Sequence, residues 1–398
     1  MPSEASAETI ASQGCRVVVR RVDGASAREL FLLAEPTEVG VDAGAQAGSV
    51  YRAIDALLAG EGASWADVLR ETVFLASHTR DLDDVRAARQ RVVGASGLPP
   101  LEIEQPPLEE GARLLTSIHC RVPQPGAKGA SAEVVRIADV GSSGDGSAAV
   151  AVRRATDDGC RLDCAAVLGR GEGALAQTRS AFAQAEALLE RAGLDFGDVV
   201  RTWIHLRDID RDYDALNEGR RAFFTEQGIT SPPASTGIGG GPSAPAHDLC
   251  LGFEAIRRDG GRETSVMHAA TLNEAPEYGA DFVRGLRVVG ENGTLLHVSG
   301  TASVDEAGRT AHPGDFDAQA ERMLLNVRTL LEGQGAGFGD VVSAITYVKH
   351  RADADRLGEA LARAGFSGFP HALVEAPVCR PDLLCETEAI AFLPNDAA

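Results

Sequence analysis

Leu330-Leu331-Glu332-Gly333-Gln334-Gly335-Ala336-Gly337-Phe338-Gly339-Asp340-Val341 is the stretch on which the fold turns. Two leucines close an amphipathic run, and Gly335, four positions after the second, is the expected left-handed helix stop. Asp340 follows five positions later and opens an apolar, β-branched segment that reads as a strand. The same spacing occurs at Leu57-Leu58, Gly62, Asp67-Val68 and at Leu188-Leu189, Gly193, Asp198-Val199. The helix ahead of each copy carries its apolar stripe at equivalent places: Tyr51, Ile54, Leu57, Leu58; Phe182, Ala185, Leu188, Leu189; Leu324, Val327, Leu330, Leu331.

Three copies of one unit therefore build the chain, offset by 131 and then 142 residues. In each, a strand follows the aspartate (Val68 to Leu75, Val199 to Leu206, Val341 to Val348). A second helix comes next, over about 81–93, 211–225 and 352–364, then a proline-marked turn and a final strand pair. The fold class is α+β, and the repeats are expected to span 1–124, 132–258 and 264–394. Pro123 to Gly129 and Arg257 to Glu263 read as linkers, and residues 141–147 as a loop inside the second repeat.

Composition removes whole classes of function. Of 398 residues, 44% are apolar and 24% charged, ordinary for a globular protein. Thirty-eight Lys and Arg against 58 Asp and Glu give a net charge of −20, which argues against nucleic-acid or anionic-membrane partners. The seven cysteines include no CxxC pair, and Cys160 and Cys164 stand without a second ligand pair. His247, His297, His312 and His371 show no metal-ligand spacing. The expectation is a reduced, cytoplasmic protein without signal sequence, membrane span, metal or cofactor.

The last strand carries the candidate chemistry. Within Cys379-Arg380-Pro381-Asp382-Leu383-Leu384-Cys385-Glu386-Thr387-Glu388-Ala389-Ile390-Ala391, the two glutamates sit at i and i+2, on one face of a strand. Aligning Asp248-Leu249…Gly252…Glu254-Ala255-Ile256 with Asp382-Leu383…Glu386…Glu388-Ala389-Ile390 makes Glu388 common to two copies and Glu386 special to the third, with Leu115 near that place in the first. Glu386 is thus the candidate acid, and Glu388 is either a structural acceptor or a site residue.

The third repeat, with Ser299-Gly300-Thr301-Ala302, Gly314-Asp315, Gln319, Asn326, Asp340-Val341 and Glu386-Thr387-Glu388-Ala389-Ile390-Ala391, resembles the reactive-intermediate deaminase family (Rid, YjgF-like). That resemblance implies a chorismate-mutase-like βαβαββ unit, three of which enclose a central sheet barrel with helices outside and sites in the clefts between units. Fused in one chain they would make a pseudo-trimer that is monomeric, with clefts that need not be equivalent. Rid deaminases hold a substrate carboxylate with an arginine after the proline turn; the equivalent places here are Leu101 (approximately), Ser235 and His371.

A narrower resemblance is to the chorismatase family. It rests on Asp198-Val199-Val200-Arg201-Thr202-Trp203, on Tyr213…Leu216-Asn217-Glu218-Gly219-Arg220, and on Pro233-Ala234-Ser235-Thr236-Gly237-Ile238-Gly239. Further matches are Pro276…Tyr278-Gly279…Phe282-Val283-Arg284, Ser299 to Ser303, His312-Pro313-Gly314-Asp315 and Cys379-Arg380…Glu386. The chain is longer than a typical chorismatase, and Ile204-His205 stands where that family more often has an Asn-aromatic pair. The resemblance implies cleavage of the enolpyruvyl ether of chorismate to pyruvate, with Glu386 as general acid. Burial between Leu384 and Ile390 would raise its pKa, and Glu388 would add like-charge repulsion. Arg201, Arg220, Arg284 and Arg380 are the candidate carboxylate clamps, each also readable as an ion-pair residue.

Tyr213 is either a substrate hydrogen-bond donor or a packing residue. The run Gly237-Ile238-Gly239-Gly240-Gly241 lacks the strand-to-helix context of a nucleotide loop, but its N–H groups could line an anion pocket. By the same resemblance, Cys379 with Gly300 points to the aromatising type that makes 3-hydroxybenzoate rather than a dihydroxycyclohexadiene acid. In that reading glycine leaves room for the ring and the thiol serves as a weak acid–base group. Two other functions fit the pattern: a fused Rid enamine or imine deaminase, and a non-catalytic binder of small acids.

Overall fold

In a computed structural model, residues 7–12, 14–94, 98–124, 132–137, 149–156, 159–260, 263–273 and 281–395 are described. The decisive stretch folds for local reasons, identically three times. The N–H groups of Ala63, Leu194 and Ala336 donate to the carbonyls of Leu58, Leu189 and Leu331, and those of Gly62, Gly193 and Gly335 to Ala59, Glu190 and Glu332. This is the paired closure of a Schellman motif, and it requires φ values of +71°, +75° and +75° at the three glycines. Asp67, Asp198 and Asp340 then accept from the backbone N–H of Ser64, Asp195 and Gly337, pinning a short turn from which the strand leaves.

The first repeat contains β1 Glu8–Ser12, β2 Cys15–Asp23, β3 Ala27–Pro36, α1 Ala43–Gly60, β4 Val68–Leu75, α2 His78–Val93, β5 Leu101–Glu104 and β6 Leu114–Pro123. The second contains β7 Ala132–Ile137, β8 Ala149–Thr156, β9 Gly159–Leu168, α3 Gly173–Arg191, β10 Val199–Leu206, α4 Ile209–Glu226, β11 Ala234–Gly239, β12 Gly241–Pro242 and β13 Leu249–Arg258. The third contains β14 Thr264–Val266, β15 Gly285–Gly290, β16 Gly293–Ala302, α5 Phe316–Glu332, β17 Val341–Val348, α6 Ala354–Ala364, β18 His371–Glu375 and β19 Cys385–Leu393.

The three strands expected after the aspartates occupy the expected residues. Two of the second helices begin earlier than expected, at His78 and Ile209, where Ser77 and Asp208 occupy the N-cap. Each repeat also has two strands ahead of its βαβαββ unit, which the sequence pattern did not reveal. Parts of the expected linkers (residues 125–129 and 261–262), the loop at 141–147, and Pro276, Tyr278 and Gly279 lie outside the described residues.

Strand order is the same in the three sheets: β1-β2-β3-β6-β4-β5, with β12 added at the edge; β7-β8-β9-β13-β10-β11; and β14-β15-β16-β19-β17-β18. A closed central barrel is not formed as one sheet among the described residues. The open sheets touch at their edges through Gly241–Glu104, Pro107–Val374 and Ala234–Val283 instead. Each sheet packs its helices over its own apolar core. The opposite faces meet in a shared interior that combines an apolar cluster from all three repeats with buried charge. There Arg161 pairs with Asp163 at 2.9 Å and Glu254 at 3.2 Å, and His119 with Glu29 at 2.6 Å. The Arg70 guanidinium lies 3.7 Å from the Trp203 ring centre.

Gln46, Gln177 and Gln319, buried near the start of the first helix in each repeat, lock that helix to the last strand of its sheet. Their Oε1 atoms accept from Arg113, Asp248 and Leu384 N–H at 2.8, 2.7 and 2.9 Å. Gln319 also donates to the His312 and Asp382 carbonyls. Gln319→Leu leaves these buried groups unmatched, and we expect it to lower unfolding free energy by about 1–3 kcal/mol. Urea unfolding of the two proteins measures the difference, and an unchanged midpoint would mean the glutamine lock is dispensable.

Candidate active site

Because the glutamine locks and the β-ladders mark the same place in every copy, they set the true correspondence between repeats. Glu386 lies opposite Tyr347, Cys250 opposite His205 and Leu115 opposite Phe74, each at the same distance along its sheet. Glu388 therefore corresponds to Gly252 and Ser117, and Glu254 to Ile390. The alignment expected from sequence was displaced by two residues, so Glu388 is not a shared structural acid. Both carboxyl groups belong to the third repeat alone.

A second local feature shapes the strand beside them. Thr301 pairs with Thr387 and Val298 with Ala389, so Ser299 and Gly300 together oppose Glu388 in a β-bulge. The bulge presses Gly300 against Glu386. A Cβ at position 300 would overlap Glu386 Oε1 and come within 3.1 Å of Thr236 Cγ2. A side chain here would displace the Glu386 carboxyl from the place it holds, so the glycine helps set where the acid sits. This differs from the expectation that it makes room for a moving ring.

Glu386 opens into a cavity of about 690 Å³ where the second repeat meets the third. From the second repeat, α4 supplies Tyr213, Asn217 and Arg220, and β11 supplies Ser235 and Gly237. The third contributes Phe282, Arg284, Gly300, Cys379 and Arg380. The guanidinium groups are held by neighbours: Arg284 donates to the Asn273 carbonyl at 2.9 Å and its Oδ1 at 3.0 Å, Arg380 to the Gly308 carbonyl at 2.8 Å, and Arg220 to Asn217 Oδ1 at 2.7 Å. Arg220 and Arg284 each lie 5.6 Å from the Phe282 ring centre. Arg220, Arg284 and Arg380 thus share the cavity with the Glu386 carboxyl, and Arg221, Asp214 and Glu218 line it as well.

Burial pushes the Glu386 carboxyl up to about 8, and the nearby Glu388 adds to the shift, against the opposing pull of Arg284, Arg201 and Arg380. Near neutral pH it carries its proton, facing a polar cavity. That is the state a general acid needs. Cys379 behaves differently from the weak acid–base group expected. Burial and the neighbouring Glu386 raise its thiol to about 12, although a hydrogen bond from Tyr213 and nearby arginines pull the other way. It lines the cavity as a neutral thiol.

Eight residues named from sequence line this cavity: Glu386, Cys379, Tyr213, Arg220, Gly237, Arg284, Gly300 and Arg380. Arg201 and Glu388 do not. Arg201 is buried behind it, donating to Thr236 Oγ1 at 2.5 Å and Glu388 Oε2 at 3.1 Å, and Glu388 also accepts from Trp203 Nε1 at 2.8 Å. Arg201 is 1% exposed and does not reach the cavity lining, so a direct substrate clamp is the wrong role for it. Asn217, Ser235 and Phe282 stand inside the quoted motifs without a role assigned to them, and the Asn273 anchor stands outside them, because the value of each depends on which repeat it faces. At the places equivalent to Glu386, Leu115 and Cys250 join the apolar cluster of the interior. His371 bonds to Thr346 at 2.7 Å and lies near Phe366 and Phe369, and burial lowers its pKa to about 3.

Residues 165–241 and 273–393 match the Endoribonuclease L-PSP family. A RutC family protein of Pyrococcus abyssi is 31% identical over 101 residues, covering 25% of this chain and 80% of its own length. The 2-iminobutanoate/2-iminopropanoate deaminase of Salmonella typhimurium is 38% identical over 60 residues, 15% of this chain and 46% of the enzyme. A crystal structure of chorismatase superposes with a TM-score of 0.62 over 82% of this chain and 93% of that chain, at 22% sequence identity. The three-repeat arrangement is a chorismatase-like fold. Among the described residues, no helix is long and apolar enough to cross a membrane.

A carboxyl raised from 4.5 to about 8 holds a proton in the folded chain that the unfolded chain releases. Its contribution to stability therefore falls as pH rises between those values, by up to about 1.4 kcal/mol per pH unit. Glu386→Gln has no such loss. We expect its stability advantage over the parent to grow from pH 5 to pH 8 in urea unfolding. A difference independent of pH would contradict the raised pKa.

Proposed function

This chain belongs to the Endoribonuclease L-PSP family of RutC and Rid proteins, and from that premise we propose that it cleaves the enolpyruvyl ether of chorismate. The observation that carries the reading is the buried Glu386 carboxyl, its pKa raised to about 8, facing a cavity that Arg220, Arg284 and Arg380 also line. Chorismate bears two carboxylates, and planar guanidinium groups pair with such groups through two hydrogen bonds. An acid that stays neutral among those cations can give its proton to the terminal methylene of the enolpyruvyl group. The positive charge then forms at the ether carbon. Addition of water there gives a hemiketal, which collapses to pyruvate and a ring alcohol, and the proton lost by the water returns to Glu386.

Two products follow from this step. The ring alcohol is a dihydroxycyclohexadiene acid, and loss of the elements of water from it leaves 3-hydroxybenzoate. We favour the aromatic product because Cys379 and Gly300 flank the acid, the pair by which the sequence resembles the aromatising chorismatases. A secondary-metabolic role fits either product. With the three units fused and their sheets facing one shared interior, in the manner of a barrel, we read the active unit as a single chain.

The second reading is deamination of enamines or imines, favoured by the 38% identity to an iminobutanoate deaminase over 60 residues. Against it stands Ser235 at the place where such enzymes hold an arginine. A binder without catalysis would not need a buried acid with a raised pKa.

Purified protein with chorismate should release pyruvate, read by coupled reduction to lactate, with the aromatic co-product resolved by chromatography. Glu386→Gln should slow release by roughly 10²–10⁴-fold, the usual worth of a positioned acid. Arg284→Lys, which keeps the charge but loses the planar fork, should act mainly on KM. Absence of pyruvate above background from the parent protein would overturn the chorismate reading.

A further inference from the structure

We propose that Thr236 is a positioning residue for this site: its hydroxyl ties the buried Arg201–Glu388 pair to the Gly300 bulge and so holds the Glu386 carboxyl in place. The inference rests on the reading of Glu386 as the acid, and it assigns roles to three side chains that need not touch substrate. Thr236 Oγ1 accepts from Arg201 Nη2 at 2.5 Å and from the Gly300 N–H at 3.0 Å. Its one oxygen thus joins β11 and β10 of the second repeat to β16 of the third. Gly300 is the residue whose backbone lies against Glu386 Oε1. Movement of the bulge would move the wall behind the acid.

Divergence among the copies points the same way. Trp203 pairs with Thr236, Thr72 with Leu101 and Ile345 with Ala372, so the other two repeats carry apolar side chains at this place. The acid is likewise confined to one copy, the third, with Cys250 and Leu115 at its place in the second and first repeats. Hydroxyl and acid occur together, at the one junction with the large cavity. Thr236 is buried, with 1% of its surface exposed, and its neighbour Ser299 anchors the other half of the bulge. Ser299 Oγ accepts from the Ser235 N–H at 2.9 Å and donates to the Val283 carbonyl at 2.6 Å. The bulge is held from two sides.

The charged and titratable groups facing Glu386 come from several elements: Glu388 on its own strand, Tyr347 on β17, Arg201 on β10, Arg284 ahead of β15, and Cys379 and Arg380 in the loop before β19. Among them, Glu388 opposes ionisation of Glu386 and the arginines favour it. Arg201 also binds Glu388, so Thr236 fixes the distance between the guanidinium and both acids.

Thr236→Val removes the hydroxyl at nearly constant volume, and Thr236→Ser retains it. Two readouts separate positioning from packing. In chorismate turnover, Thr236→Val should lower kcat about 10–100-fold with KM within about 2-fold, the scale of a misplaced catalytic group, and Thr236→Ser should recover most of the loss. In carbon-13 spectra of the side-chain carboxyls, with the Glu386 signal assigned by its loss in Glu386→Gln, the midpoint should move in Thr236→Val and return in Thr236→Ser. In Glu388→Gln it should fall toward the ordinary carboxyl range. Parental kcat and an unmoved Glu386 midpoint in Thr236→Val would overturn the proposal, as would equal impairment of Thr236→Ser and Thr236→Val. The titration needs no substrate. A chain that releases no pyruvate therefore overturns the chorismate reading, and the carboxyl signal still decides the role of Thr236.

Discussion

Two carboxyl groups on one face of a buried strand cannot both ionise without nearby positive charge, and much of the third repeat follows from how that conflict is resolved. Glu388 is given an arginine, an indole N–H and the Tyr347 hydroxyl, the last at 3.4 Å. Glu386 is left in the cavity wall and keeps its proton. One acid is satisfied by the protein, and the other is available for chemistry. The guanidinium that serves Glu388 comes from the second repeat, so the arrangement exists only where two units meet. Each repeat forms its own sheet and helices, but no one repeat could build this site.

Fusion makes such asymmetry possible. Identical units would have to carry the same acid, the same bulge and the same hydroxyl at every junction. Here the first and second repeats have Leu115 and Cys250 in place of the acid, and those side chains contribute to the apolar interior. Arg89, equivalent to Arg220 by the 131-residue offset, is bound to Glu71 at 2.6 Å and packs beneath the first repeat. The junctions without the acid add apolar packing at this place, while the third carries the cavity.

Local signals made the repeat legible. A Schellman closure and a backbone-capping aspartate are completed within a dozen residues, so the strands after them could be placed to the residue. The early strands of each repeat lack such a signature. They are recognisable only by pairing with β3, β9 and β16, which differ in sequence. The register of β13 against β19 misled for a related reason: Glu254-Ala255-Ile256 matches Glu388-Ala389-Ile390 in its letters, but the ladders pair Ala255 with Val199 and Ala391 with Val341. In the site, Glu386 and the arginines of the cavity stand in recognisable motifs. Arg201 stands in one as well, yet its long side chain is turned inward to a partner 187 residues away. Thr236 and Asn273 were silent, because each acts through contacts that only folding creates.

The central claim is that Glu386 works as an acid in its protonated form. Its most direct test is the pH dependence of kcat/KM for pyruvate release from chorismate, which reports ionisation in the free enzyme. The account predicts a level rate at neutral pH that falls about tenfold per unit above the Glu386 midpoint near 8. A rate that stays level or rises through that range would show that the carboxylate, or another group, carries the reaction.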